Sequence, residues 1–572
     1  HINTPLLVIA GAGSGKTKVI TEKIVYLLDN QCFPASKIFA ITFTNKAAHE
    51  MRVRLRTLLA NKQAKKVTIS TFHSLGLMIL KREHTFFNLN ARFSIFDEND
   101  KKTILQSLIE KLYPNFSDKV DLFGHQIALW KNNLLSPNQL KEQIIDKNTQ
   151  ISAHLYTEYV QTLKIYNAVD FDDLIYLPVL MLQNNAAKRE LWQNKIRYLL
   201  IDEYQDTNQA QYILMKLLTG ARAAFTAVGD DDQSIYAWRG AQVENLNQLQ
   251  QDFANLTIIK LEQNYRSTQL ILRAANTLIL NNPHLYVKKL WSKLSLGEPI
   301  RIISTDSEHD EVIKTIQDLE RKKIRQSLKY GDFTILYRSN HQARLFEQVL
   351  KEQNIPYQIS GHISFFSRTE IKDLMAYFKI MINPEDDASF LRIINTPKRS
   401  IGVATLNKLS QYAKSRTKSL FNSAHELALK EKIAPKQYQN LNDFISWLSN
   451  QKIILNHAKD ITPIKQFINE LNYEQWLKQN SQQKTIKNKL KLIQELLQWL
   501  EKLFNKYPAK NFADIIQHLC LLDIIDGQQD KTDSSQLQLM TLHAAKGLEF
   551  PHVYLVGMEE EILPHQSSID DK

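Results

Sequence analysis

The stretch Leu6-Leu7-Val8-Ile9-Ala10-Gly11-Ala12-Gly13-Ser14-Gly15-Lys16-Thr17 constrains this chain more than any other. Its first five residues are apolar and read as a buried strand. A glycine-rich turn follows. Lys18 to Leu28 then carries Val19, Ile20, Ile24 and Leu27 on one side of an amphipathic helix. Strand, glycine turn, Lys-Thr and helix together form a P-loop. Its glycines let backbone N–H groups turn inward around phosphate oxygens, and the helix N-terminus adds a favourable dipole. Lys16 is placed to reach the β- and γ-phosphates, and Thr17 to ligate Mg²⁺. The strict pattern asks for glycine where this chain has Ala10, a small residue that the position tolerates.

A chain of 572 residues allows about four domains. With 43% hydrophobic and 23% charged residues it has the composition of an ordinary soluble globular protein. No run approaches the length of a membrane span, and no basic-then-apolar leader opens the sequence. Cys32 and Cys520 show neither metal spacing nor a disulfide framework, which fits a reducing, cytoplasmic setting. The net charge of +12 suggests a polyanionic partner, nucleic acid above all.

Further strands announce themselves by apolar runs that end in polar residues. They are Lys37–Phe43, Val67–Ser70, Ile196–Ile201 and Phe225–Val228. Alternation of such strands with helices predicts a parallel α/β sheet with its ligand at the strand C-termini. The pattern restarts at Pro299–Ser304 and Asp332–Tyr337, and resumes at Gln538–Thr541 and Val553–Val556, which predicts a second α/β domain. Two mostly helical stretches interrupt the domains. The expected division is 1–72 and 184–264 for the first domain, with 73–183 inserted, and 265–361 and 528–572 for the second, with 362–527 inserted. The stripe Ile486, Leu490, Ile493, Leu497 and Leu500 reads as the core face of a helix.

Asp202-Glu203, closing a buried strand, is a Walker B arrangement. Asp202 would hold Mg²⁺ and Glu203 would orient or deprotonate the attacking water. Gln233 also follows a strand, where a neutral amide can sense a γ-phosphate. Arg266 is expected to reach across from the second α/β domain as an arginine finger. Tyr236, Trp238 and Arg239 lie just beyond the sensor, and Phe43, Phe72 and His73 at other strand ends. Aromatics beside basic groups suit stacking on unpaired bases, with core packing the competing role for each ring.

Taken together these residues resemble the superfamily 1A DNA helicases, the UvrD, Rep and PcrA type. The resemblance runs through Ala10–Thr17, Ile41–Ala48, Ser70–His73, Asp170–Leu174, Asp202–Asp206, Gly229–Ala241, Gln263–Ser267 and Gln538–Phe550. It covers essentially the whole chain and is nearest to the Rep branch at Ser364–Arg368, Asn395–Arg399 and Gly557–Asp570. It implies two RecA-like domains, each with a helical insert, and an ATP- and Mg²⁺-dependent motor moving 3′→5′ on single-stranded DNA in replication or repair. The nucleotide would lie on Ala10, Gly11, Ala12, Gly13, Ser14, Gly15, Lys16, Thr17 and Lys18. Tyr265 would stack on adenine, Arg266 would contact the γ-phosphate, and Glu549 the ribose. Phe43, Tyr236, Trp238 and His543 would line the single-strand path, and Ser400–Thr405 would touch duplex backbone. Implied partners are single-stranded DNA, single-strand/duplex junctions and replication-fork proteins, with the protein a monomer or a DNA-induced dimer and no membrane involved. The family also carries a glutamine-bearing adenine-recognition segment before this start and a second phosphate-contacting arginine after this end. The chain is therefore expected to be a fragment with some DNA affinity and slow hydrolysis. A catalytically impaired DNA-binding remnant is the competing reading. A helicase–nuclease subunit would need an acidic metal cluster that the sequence does not display.

Overall fold

The computed structural model describes residues 1–566 apart from 3, 31, 60, 91–92, 141–146, 360–364, 366–367, 417, 459, 481–482, 508–510, 518, 520–534 and 565. The chain divides into two compact units. One comprises 1–75, 179–362 and 528–572, the other 76–178 and 363–527.

The first unit contains a six-stranded parallel sheet in the order Thr68–Thr71, Ile38–Thr42, Tyr198–Ile201, Phe225–Gly229, Leu6–Ala10, Thr257–Leu261. Four of these strands are buried at every residue, which is why they read as unbroken apolar runs rather than alternating ones. Helices such as Lys16–Asp29 and Asn45–Leu58 cover the sheet, burying Ile20, Ile24, Leu27, Met51 and Leu55 against it. Since the strands are parallel, all six C-termini lie along one edge. The P-loop, Phe43, Phe72, Asp202-Glu203, Asp230–Gln233 and Gln263–Arg266 all leave from that edge.

A second parallel sheet in the same unit has the order Tyr357–Ile359, Leu537–Thr541, Phe333–Tyr337, His552–Leu555. Its core is Phe333, Ile335, Tyr337, Phe346, Leu350, Leu537 and Leu539 with Val312, Ile316 and Leu319. The expected strand at Pro299–Ser304 does not form: the segment has no strand pairing among the described residues, and Ile302 stands 94% exposed. An apolar run specifies a strand only where a partner edge accepts its hydrogen bonds. Conversely, Tyr357–Ile359 is too short to show a pattern of its own.

The second unit is mostly helical. Its larger core draws on residues between Ile371 and Leu519, including Ile493, Leu496 and Leu500 of the Gln483–Lys506 helix. The expected apolar stripe is therefore a packing face. A smaller core spans Leu105 to Ala168. Beside it a parallel pair, Ser94–Phe96 with Ala168–Asp170, carries a buried ionic cluster. Lys131, with no exposed side-chain surface, lies 2.7 Å from Asp170 and 2.8 Å from Asp173, and Tyr159 donates to Asp170 at 3.0 Å. Burial opposes the Lys131 charge, and Asp170 and Asp173 more than restore it.

Candidate nucleotide site and its aromatic edge

Gly13 and Gly15 both adopt left-handed backbone, with φ of +69° and +92°. Gly13 also has no room for a side chain, because a Cβ there would lie 2.6 Å from Asn264 and 2.8 Å from Arg266. Ala10 is the last residue of its strand and has ordinary extended geometry, so its departure from the strict pattern costs nothing. Ser14 closes the loop, donating from its hydroxyl to the Gly11 carbonyl at 2.7 Å. The Lys16–Asp29 helix then begins with no side-chain cap and no acidic residue in its first turn. Its free N–H groups and dipole favour an anion.

Lys16 is only 10% exposed, yet its Nζ has no hydrogen-bond partner among the described residues. Glu203 and Asp230 each stand 3.8 Å away, on either side. A buried ammonium without a hydrogen-bond acceptor is costly and suits an incoming polyanion. Thr17 and Asp202 are brought together, the hydroxyl hydrogen-bonding the carboxylate. Burial first, and then the charge of Glu203, push Asp202 up to about 7. A buried carboxylate beside a hydroxyl at a strand end fits a hard divalent cation such as Mg²⁺. Glu203 itself has left-handed backbone, φ +51°, an uncommon conformation for a side chain of this size.

Gln205, which sequence reasoning assigned no role, joins two of the predicted groups. Fully buried, it donates to Glu203 at 2.6 Å and accepts from the Asp230 N–H at 2.9 Å. Gln233 donates to the Asp230 carboxylate. Asn264 ties the P-loop to the segment beyond the sheet's edge strand. It donates to the Ala12 carbonyl at 2.6 Å, while the Tyr265 N–H donates to the Gly13 carbonyl at 2.9 Å. Arg266 follows the edge strand Thr257–Leu261 by five residues and belongs to no strand of either sheet. Its guanidinium donates to Glu549 at 2.8 Å, so the two predicted nucleotide contacts hold one another. Tyr265 is 66% exposed, with room to stack. Lys18 lies in the first turn of the helix, exposed.

Phe43 and Tyr236 stack with ring centroids 4.8 Å apart, and His543 lies 6.3 Å from Tyr236. Trp238 is 61% exposed. His73 is half-buried at the start of the helix that follows Thr68–Thr71. The side chain of Arg239 lies outside the described residues. Phe72 is a correction: it is 5% exposed, a core ring with no free face for a base. Phe43 and Phe72 each lie one residue beyond a strand, and the sequence pattern does not separate the ring that stacks at the edge from the ring that is buried. A second residue missed in the sequence is Lys546. It donates to both oxygens of Asp206, at 2.8 and 2.6 Å, and to the Gln233 carbonyl at 2.6 Å, and lies 5.0 Å from the Tyr236 ring centre. Burial pushes Asp206 up to about 6, with Lys546 pulling it back.

Two family matches together span the chain. Residues 1–254 match the UvrD/REP helicase N-terminal domain, and residues 259–572 the UvrD-like helicase C-terminal domain. The chain belongs to the UvrD/Rep helicase family. It is 46% identical to the ATP-dependent DNA helicase Rep of Escherichia coli K12, over all of this chain and 85% of that protein. It is 44% identical to Rep of Buchnera aphidicola subsp. Schizaphis graminum, over all of this chain and 87% of that one. The ATP-dependent DNA helicase PcrA of Staphylococcus aureus Mu50 is 36% identical, over 99% of this chain and 77% of its own length. No described helix is long and apolar enough to cross a membrane.

Proposed function

We propose that this ATP-dependent DNA helicase is a 3′→5′ single-strand translocase of the Rep type. Its nucleotide would lie on Ala10–Lys18 and its unpaired strand along Phe43, Tyr236, Trp238 and His543. One observation carries the reading. The buried ammonium of Lys16 lacks a hydrogen-bond acceptor between Glu203 and Asp230, at an uncapped helix N-terminus. A triphosphate supplies the acceptors. Bound Mg²⁺ would supply charge neutralisation at the phosphates, with Thr17 and Asp202 as its protein ligands. Glu203, held by Gln205, would accept a proton from the attacking water. Release of Arg266 from Glu549 would free its guanidinium for the charge on the transferred phosphoryl group.

Coupling to DNA is short-range. Gln233 is three residues from Tyr236, and Lys546 binds the Gln233 carbonyl while lying beside that ring. A change in what Gln233 bonds therefore bears on the stacked Phe43–Tyr236 pair. The division into 1–72 with 184–264, 73–183, 265–361 with 528–572, and 362–527 belongs to this proposal, as do fork partners and a DNA-induced dimer. A cytoplasmic location belongs to it too. The test is strand displacement on partial duplexes with a 3′ or a 5′ single-stranded tail. Unwinding from the 3′ tail alone is expected, and equal unwinding from the 5′ tail would overturn the polarity.

A further inference from the structure

Three consecutive carboxylates, Asp230, Asp231 and Asp232, precede the sensor Gln233, and one short segment grips all three. Lys288 Nζ lies 2.9 Å from Asp230 Oδ1 and 2.7 Å from Asp232 Oδ2, and it also pairs with Asp231. Its side chain is 4% exposed. The backbone N–H groups of Leu285 and Tyr286 donate to Asp231 Oδ2, each at 3.1 Å, and His284 Nδ1 meets Asp232 Oδ1 at 2.9 Å. Asp231, Asp232 and His284 form the one cluster of metal-ligating type found among the described residues, and the Lys288 ammonium is its cation. Burial works against that ammonium, and the three aspartates more than compensate.

The other face of Asp230 turns to the chemistry. Its Oδ2 accepts from Gln233 and stands 3.8 Å from Lys16 Nζ. Lys288 is thus one carboxylate removed from both the sensor amide and the lysine that grips phosphate. Removing its charge would leave neighbouring buried carboxylates repelling one another, a costly state that a loop relieves by moving. Movement would take Gln233 with it and turn Asp230 toward Lys16. We propose that Lys288 is a positioning residue for phosphoryl transfer, fixing the Asp230–Gln233 loop so that Gln233 meets the γ-phosphate and Lys16 stays available to it. The inference rests on the site reading above.

Steady-state ATPase with saturating single-stranded DNA, together with DNA affinity with and without a non-hydrolysable ATP analogue, tests it. In Lys288→Met, kcat is expected to fall about 10- to 100-fold, the scale of a reacting group displaced by an ångström. KM for ATP should stay within about threefold, and DNA affinity without nucleotide should match the parent. The change in DNA affinity caused by the analogue should be lost. Lys288→Arg, which keeps the charge, should recover most of the turnover. Should Lys288→Met not fold, Lys288→Gln, which also removes the charge but keeps a hydrogen-bond donor, takes its place, with the same expected fall in kcat. Parental kcat in either folded variant overturns the proposal. So does failure of both to fold, since Lys288 would then serve the fold alone. Lys16→Ala in the same assay separates the two readings. Its loss of activity with an unaffected Lys288→Met leaves the site standing and removes only this inference, whereas retained activity in Lys16→Ala removes the site itself.

Discussion

Lys131 and Lys16 are both buried lysines with two acidic neighbours, and they behave differently. In the helical unit, Lys131 touches Asp170 and Asp173 at 2.7 and 2.8 Å, and its charge is fully spent. At the P-loop, Lys16 is held 3.8 Å from Glu203 and Asp230 and bonds neither. One ångström separates a staple from a grip. A closed ion pair offers nothing to a ligand, and breaking it strands a buried charge. An open one stores that unmet demand until a phosphate arrives. The acidic surroundings do not make the difference: Asp173, in contact with Lys131, and Asp202, beside the P-loop, are both pushed up to about 7 by burial first and then by a neighbouring carboxylate, Asp170 for the one and Glu203 for the other.

The sharpest way to break this contrast is to delete each lysine. Lys16→Ala, and separately Glu203→Gln, should abolish DNA-stimulated hydrolysis, a loss of at least roughly 10²–10³ in turnover. Both should leave the melting temperature near the parent's. Turnover within severalfold of the parent in either variant would show that Lys16 is a second staple.

Lys131→Met should do the opposite and destabilise the protein by about 3–5 kcal/mol, because Asp170 and Asp173 are left buried and unpaired. Denaturant unfolding measures this. A variant as stable as the parent would mean that the pair at 2.7 Å contributes no more than the separation at 3.8 Å.

Exposure extends the comparison beyond lysine. Trp238, open to solvent, should contribute about 1–3 kcal/mol to single-strand affinity by stacking. Buried Phe72, replaced by leucine, should leave that affinity unchanged. Titration by fluorescence anisotropy distinguishes them, and affinity should fall steeply with salt as counterions are released. Equal losses at both positions would place Phe72 in the strand path after all.

The smallest effect expected is on pH. Asp202 titrates near 7 in the folded chain, against about 3.9 when unfolded. The folded state therefore holds a proton that the unfolded state has lost between those values. The resulting stabilisation is complete below about pH 4 and disappears as pH rises through 7. Melting without Mg²⁺ should occur at lower temperature at pH 8 than at pH 5.5, and Asp202→Asn should narrow that gap. An unchanged gap would assign the effect to other groups.

Much of this was legible in the sequence because it is local. A parallel strand buried on both faces needs an apolar run, and its C-terminal polar residues must lie along the ligand edge. Those two requirements are enough to bring Lys16, Asp202, Glu203 and Gln233 to one edge. The roles of Lys288, Gln205, Asn264 and Lys546 were not legible. Three of them lie inside the motifs, but each makes a bond to a partner distant in sequence (Lys288 and Gln205 to Asp230, Asn264 to Ala12, Lys546 to Asp206, 340 residues away), and no local period marks such a bond. Arg266 shows both sides. The residue is visible in its motif, but its bond to Glu549, 283 residues away, is not. Phe72 and Pro299–Ser304 fail for a related reason, since apolar character does not say which neighbour, if any, will cover it.

The second sheet has a calendar. Phe333–Tyr337 and Tyr357–Ile359 are made early and never touch; Leu537–Thr541 lies between them and bonds to both. On a ribosome adding about 5–20 residues per second, the interval from 359 to 537 is roughly 9–36 s. During that time two finished strands wait beside an absent neighbour, each with an edge that any other strand could pair. The helical insert is synthesised in the same interval. A nascent chain of this protein should therefore lean on chaperones hardest just before residue 537 emerges, and a stall there would strand both edges.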